Sequence, residues 1–225
     1  MYNKLTTFLF DNNHKEGFLA YYISIFFFVI SAPISQLHSI VVFSILLFYP
    51  IWSASIKKID YLEYGLLNIK WKRTLYYLTI WTLVTFIPYV VVVLYFKNDS
   101  IIHFVKKLSL PKDFLTNALF HIFAVGFSEE FFYRGYIQPL IQKKYNRYII
   151  KAIKLDTGVL IVSLLFGVGH FLTYFTPFSL LTFFPSLVFG ILKNQTDNIV
   201  ASMFYHGFSN ALMYLLIYNI GRIYI

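Results

Sequence analysis

The stretch from Thr74 to Phe96 reads TLYYLTIWTLVTFIPYVVVVLYF, which is 23 residues without a charged side chain. At a rise of about 1.5 Å per residue, a helix of this length reaches across the roughly 30 Å hydrocarbon core of a bilayer. An uncharged stretch of that length is typical of a transmembrane helix and not of a helix in a soluble core. The stretch therefore predicts an integral membrane protein.

Similar apolar runs extend over most of the 225-residue chain. They lie at 17–34, 38–55, 74–96, 114–140, 159–175, 178–193 and 198–220. The composition agrees, because charged residues make up 13% of the chain, against about 25% in a soluble domain. We predict an all-α fold, a polytopic transmembrane helical bundle of about seven to eight spans, with residues 1–225 forming a single transmembrane domain.

The charge of the chain is strongly positive, with 19 Lys and Arg against 10 Asp and Glu. In a soluble protein this excess would suggest a nucleic-acid partner, but in a membrane protein basic residues concentrate in cytoplasmic loops. With the N-terminus in the cytoplasm, 14 basic residues fall inside and five outside. We predict this orientation, the lipid bilayer as a partner and no nucleic-acid partner. Abundant Phe, Tyr, Ile, Lys and Asn with few Ala favour a bacterial plasma membrane.

The segment 56–73 joins two of the apolar runs and contains five basic residues. Its apolar members are Leu62, Leu66, Leu67, Ile69 and Trp71. Such a mixture is typical of an amphipathic helix that lies on the membrane surface. An ordinary basic cytoplasmic loop is equally compatible with it, and both interpretations stay open.

Few ionisable residues lie inside the runs, where such a side chain costs several kcal/mol and is usually retained for function. Eight of the ten acidic residues fall in loops or at the ends of runs, which leaves a pair inside one. The ionisable residues inside the runs are Glu129, Glu130, Arg134, His121, His170 and His206.

Spacing groups several of these residues. Glu130 and Arg134 are four residues apart, so on a helix they share a face and can form an ion pair. His206 and Asn210 have the same interval, which presents an imidazole and an amide on one face of the last span.

The depth of each group in the bilayer follows from its distance along the helix to the nearest cytoplasmic loop. Glu130, His170 and His206 lie at depths of roughly 20, 21 and 14 Å, so they can meet in the middle third of the membrane. His121 is nine residues farther from the cytoplasm than Glu130. We therefore predict that His121 does not join this layer.

A single intramembrane His or Asn is usually a hydrogen-bonding contact between helices. Convergence of two Glu, one Arg, two His and one Asn at a single depth favours a hydrolytic site instead. A carboxylate and an imidazole can activate water, and hydrogen-bond donors can hold an oxyanion.

Three motifs carry a resemblance to a known family. Residues 128–135, SEEFFYRG, resemble the E-E-x-x-x-R motif of the CPBP family, the CAAX-protease and bacteriocin-processing intramembrane proteases, also called the Abi family. Residues 166–170, FGVGH, are similar to its F-x-x-x-H motif, and residues 206–210, HGFSN, to its H-x-x-x-N motif. Together they cover about residues 114–215, which we predict to be the catalytic core.

The resemblance implies a CAAX-protease-like intramembrane endopeptidase whose site opens toward the cytoplasm. It would cleave a membrane-associated peptide or lipidated protein near its terminus, as in bacteriocin or signalling-peptide processing. It assigns water activation to Glu129 and His170, and a supporting ion pair to Glu130 and Arg134. His206 and Asn210 would stabilise the oxyanion.

The sequence leaves the participation of a metal open. Two His and one carboxylate form a known catalytic zinc set, so Glu129, His170 and His206 could bind Zn²⁺ as in a metalloprotease. A water activated by Glu and His without a metal is the alternative.

Two rival functions belong to other classes. The first is a non-catalytic membrane interaction protein, such as a bacteriocin self-immunity factor on the same fold. The second is a proton-coupled transporter that uses Glu129 and Glu130 as a relay. The chain lacks a pair of interrupted spans in matching halves, which disfavours the transporter.

Overall fold

The computed structural model describes residues 13–57, 64–67, 69–97 and 100–221. Its main helices are α1 (Asn13–Ser31), α2 (Ser35–Lys57), α3 (Trp71–Phe96), α4 (Ile101–Lys107), α5 (114–142), α6 (Thr157–Tyr174), α7 (Phe183–Thr196) and α8 (Val200–Ile220). A short antiparallel hairpin of β1 (Tyr148–Ile150) and β2 (Leu155–Asp156) joins α5 to α6. The prediction of an all-α helical bundle is confirmed, with this hairpin as a small addition.

Five helical segments in the described part of the chain are long and apolar enough to cross a membrane. They are Leu37–Lys57, Trp71–Phe96, Thr157–Tyr174, Pro177–Thr196 and Val200–Ile220. Each corresponds to one predicted run.

The two remaining predicted runs, 17–34 and 114–140, lie in α1 and α5. The first turn of α1 is polar, with Lys15 and Glu16, which lowers the apolar character of the whole helix. The long helix α5 carries a cluster of charged side chains and is divided into short segments.

Helix α5 is the central element of the bundle and contacts α1, α2, α6, α7 and α8. Its segments are Phe114–Phe120, His121–Gly126, Phe127–Glu130, Phe131–Ile137 and Gln138–Gln142, of which the second and fourth are π-helical. A π turn inserts an extra residue into the helix and thereby changes which side chains share a face. All residues of the second π segment are buried.

Two glycines allow α5 and α8 to pack backbone against backbone. A Cβ atom at Gly126 would lie 2.8 Å from the carbonyl oxygen of Met203, and one at Gly207 would lie 2.6 Å from Cα of Ile122. Both distances are far below normal contact, so only glycine fits at these two positions.

The basic segment 56–73 is not a continuous surface helix where the structure describes it. Helix α2 ends at Lys57, residues 64–67 form a turn, and α3 begins at Trp71. Tyr64 packs with its ring centroid 5.5 Å from that of Tyr136. The basic-loop interpretation is therefore favoured over the amphipathic helix, while residues 58–63, including Leu62, lie outside the described residues.

Two of the acids that the sequence placed in loops or at run ends lie at helix ends as predicted, and both are buried. Glu16 is 3% exposed; it accepts hydrogen bonds from Tyr136 Oη at 2.6 Å and Ser53 Oγ at 2.9 Å, and it pairs with Lys57. Asp156 caps α6 by accepting a 2.8 Å hydrogen bond from the Val159 amide. A buried charge is tolerated only when it is paired or hydrogen-bonded. Both carboxylates meet this condition, and their contacts stabilise the packing or the start of a helix.

Candidate active site

Glu130 and Arg134 form the predicted ion pair in the centre of the bundle. Arg134 Nε lies 3.2 Å from Glu130 Oε2, and both side chains are fully buried. Arg134 also donates a 3.0 Å hydrogen bond to the carbonyl oxygen of Ser186 and contacts the Ser186 hydroxyl. Its guanidinium carbon lies 4.9 Å from the ring centroid of Phe166 and 5.0 Å from that of Phe189. The pair is therefore enclosed by aromatic rings.

His206 is held by the same carboxylate. Its Nδ1 lies 3.0 Å from Glu130 Oε1, and since a carboxylate can only accept, the ring N–H donates. The imidazole stacks on Phe189, with centroids 4.6 Å apart and an interplanar angle of 14°. Glu130 thus fixes the orientation of His206, and the Nε2 nitrogen remains available to a ligand.

His170 is oriented by its own helix. Its Nδ1 lies 3.0 Å from the carbonyl oxygen of Phe166, four residues earlier in α6. Since a carbonyl oxygen only accepts, Nδ1 carries the proton and Nε2 of the neutral ring is the basic nitrogen.

One cavity of about 470 Å³ brings together most of the predicted site residues. Glu129, His170, His206 and Asn210 all line it, as does His121. Glu130 and Arg134 do not line it and lie behind its wall. The convergence predicted from helical spacing is therefore present in the fold.

Glu129 is the carboxylate that faces two cavities. Besides the large one, it lines a second cavity of about 50 Å³, together with His170. This volume is several times what one water molecule needs. The Oε2 atom of Glu129 is buried and has no hydrogen-bond partner among the described residues, so this oxygen can accept a hydrogen bond from a bound water.

His121 belongs to the site, contrary to the prediction that excluded it. Asn210 Nδ2 lies 3.2 Å from His121 Nδ1. The error came from treating the site as one thin layer. Helices α5 and α8 run in opposite directions, so a residue before Glu129 and a residue after His206 are displaced in the same direction along the membrane normal.

The suggested zinc ligands are not arranged as a ligand set. In the part of the chain that the structure describes, no three His, Asp or Glu side chains are close enough to hold one metal ion. The carboxylate that contacts His206 is Glu130, which is not one of the three suggested ligands. The residues present therefore do not fit a three-ligand zinc site, and we derive no chemistry through one.

Spacing arguments missed Ser186 and Phe189, which position the charged core of the site. Ser186 binds Arg134 from α7, and Phe189 supports the ring of His206. Neither is ionisable, and no polar pattern in the sequence marks either of them.

The cavity lies in the half of the bundle away from the basic connection 143–155. Its lining residues come from 121–129 of α5, from the start of α7, from the second half of α6 and from 206–217 of α8. If 143–155 is cytoplasmic, as the charge distribution predicts, the cavity opens toward the opposite face. This disagrees with the cytoplasmic opening implied by the family resemblance, so those two predictions cannot both be right.

Comparison with known proteins agrees with the motifs. Residues 111–212 match the family model described as type II CAAX prenyl endopeptidase Rce1-like, and this segment contains all three motifs. No curated protein matches the chain significantly. No solved structure does so either.

The family match agrees with the resemblance: residues 111–212 of this integral membrane protein are similar to the Rce1-like type II CAAX prenyl endopeptidase model, which is consistent with the CPBP family of intramembrane proteases. The family supports a general activity, intramembrane endopeptidase, and a peptide or protein substrate at the bilayer.

Proposed function

We propose that the chain hydrolyses a peptide bond of a membrane-associated peptide near its terminus, with a water activated by Glu129 and His170. The observation that carries this proposal is the unpaired, buried oxygen of Glu129 in a cavity that His170, His206 and Asn210 also line. Burying a carboxylate oxygen without a partner costs stability. Such a cost is typical of a catalytic group whose missing hydrogen bonds are supplied by bound water and substrate.

The first chemical step is attack of water on the scissile carbonyl carbon. Glu129 accepts one proton of the water, and Nε2 of His170 accepts a hydrogen bond from it. A carbon–oxygen bond forms, and the carbonyl oxygen takes up the negative charge. When the carbon–nitrogen bond breaks, Glu129 returns its proton to the leaving amine, so one water is consumed and a carboxylate and an amine are produced.

In this proposal the oxyanion is stabilised by Asn210 and by His206 with both ring nitrogens protonated, so that Nδ1–H donates to Glu130 and Nε2–H donates to the oxyanion. One N–H of the Asn210 amide is directed at His121, and the amide has a second donor for the substrate. Donors that are already oriented stabilise the developing charge without reorganisation. Glu130 and Arg134 act as positioning residues, because they fix His206 and do not line the cavity.

The walls of the cavity favour substrates with apolar side chains. Phe166, Tyr174, Phe189 and Met213 line it, and no Lys or Arg is among its lining residues. We propose an uncharged peptide segment as the substrate, as expected for a bacteriocin or signalling-peptide precursor.

The test is to compare the membrane peptides of cells that express the wild type, Glu129→Gln or His170→Ala. An uncleaved peptide should accumulate with both variants. Asp197→Asn is the matched control, because this exposed acid pairs with Arg73 far from the cavity and should leave processing intact. Full biological function in both site variants would reject the protease and favour the self-immunity protein.

A further inference from the structure

We propose that the peptide enters the site from the extracytoplasmic side of the membrane, so that its scissile bond lies in the outer half of the bilayer. This inference rests on the proposed protease function and names the side from which its substrate comes. Three features of the molecule support it.

The first feature is that the bundle is closed between the catalytic residues and the basic connection 143–155. Residues 130–138 of α5 are all buried. Beyond them, Gln142 donates a 2.7 Å hydrogen bond to Asp156. Asn194 of α7 donates to the same carboxylate at 3.0 Å. This polar network ties the ends of α5, α6 and α7 together, so an extended peptide cannot reach Glu129 from this side.

The second feature is the extent of the cavity toward the other face. Along α8 it reaches from His206 to Ile217, which is a rise of about 16 Å. Tyr174 at the end of α6 and Thr182 just before α7 line the same cavity. These positions lie near the connections on the face opposite to 143–155. The cavity therefore extends from His206 to that face.

The rim on this face is built from hydrogen bonds. Tyr214 Oη donates a 2.6 Å hydrogen bond to Asp113 Oδ1, and Asn219 Oδ1 accepts a 2.9 Å hydrogen bond from the Ser109 amide. Both bonds attach the segment before α5 to the end of α8. They hold the rim in a defined shape, as expected of an entrance and not of a frayed helix end.

The third feature is the distribution of charge between the two faces. The connection 143–155 carries five basic residues, whereas on the opposite face the connection 175–182 carries none and the connection 97–113 carries four. Over the whole sequence the predicted division is 14 basic residues on the closed face and five on the open face. Because basic loops stay in the cytoplasm, the closed face is cytoplasmic and the open face is extracytoplasmic. The substrate is then a peptide segment exposed to the outer leaflet, such as an exported or translocating peptide.

Single cysteines in this cysteine-free chain can test the sidedness. Leu110→Cys and Thr182→Cys lie on the open face, and Lys144→Cys is the matched control on the closed face. A membrane-impermeant maleimide added to intact cells should label the first two, and it should label Lys144→Cys only after permeabilisation. A second measurement combines each cysteine with Glu129→Gln, so that an added apolar peptide binds without being cleaved. An excess of this peptide should slow labelling of Thr182→Cys but not of Leu110→Cys.

Labelling of Lys144→Cys in intact cells, with Leu110→Cys protected until permeabilisation, would overturn the proposal. A cleavage assay with purified protein in detergent separates this failure from a failure of the protease function, because both faces of the protein are accessible in detergent. Glu129-dependent cleavage in detergent with reversed labelling rejects only the entry side. No cleavage of the peptide by folded protein in detergent rejects the protease function itself.

Discussion

Glu130 Oε1 lies 3.0 Å from His206 Nδ1, and the same carboxylate is paired with Arg134 at 3.2 Å. One buried acid therefore connects α5 to α8 and balances the guanidinium charge at the same time. The stability of the bundle and the orientation of a site histidine depend on the same side chain, so variants of this pair should affect both.

Arg134→Ala should strongly destabilise the protein, because it leaves the charge of Glu130 buried and uncompensated. Removing one partner of a buried pair costs about 3–5 kcal/mol. Thermal unfolding of the purified variant in detergent measures the effect. Loss of cleavage with unchanged stability would instead show that Arg134 binds the substrate.

The double variant Glu130→Gln, Arg134→Met separates the two roles of the pair. It removes both charges, so the free energy of unfolding should return toward that of the wild type. Its activity should stay low, because His206 no longer faces a carboxylate. Recovery of both stability and activity would show that Glu130 has no positioning role.

Asn210→Ala should lower kcat by about 10²–10³ if its amide holds the oxyanion. His121→Ala should have a smaller effect, about tenfold, as expected for loss of one hydrogen bond that orients the amide. The double variant should be no slower than Asn210→Ala alone, because the two residues act as a unit. Additive losses would show that His121 acts independently of Asn210.

Gly207→Ala should destabilise the contact between α5 and α8, because the added Cβ would overlap Ile122. Overpacking of this kind typically costs about 1–3 kcal/mol. Leu115→Ala, on an exposed position of α5, is the control and should unfold close to the wild-type temperature. A wild-type unfolding temperature for Gly207→Ala would show that the two helices separate easily.

Much of the fold followed from the sequence, because long uncharged runs such as 74–96 have one stable arrangement in a bilayer. The ion pair of Glu130 and Arg134 was predictable for a similar reason, since local helical spacing determines it. The contact between His121 and Asn210 was not, because it depends on π turns and on the direction of a distant helix. The hydrogen bonds and the ion pair of buried Glu16 were not predictable either, because its partners are side chains from two other helices.

Chelating agents should leave the activity unchanged, since Glu129, His170 and His206 do not converge as a ligand set in the described structure. The measurement is cleavage by purified protein after dialysis against a strong chelator. Activity that is lost on chelation and restored by Zn²⁺ would contradict this expectation and would require a rearrangement of the site.

The most direct test of the account is cleavage of an apolar membrane peptide by purified protein in H₂¹⁸O, with the products identified by mass spectrometry. The wild type should give two fragments whose masses add up to the peptide plus one water, with ¹⁸O in the new carboxylate. Glu129→Gln should slow the reaction by about 10²–10⁴, as expected for loss of a general base. Cleavage by Glu129→Gln at the wild-type rate would contradict the assignment of Glu129 as the residue that activates water.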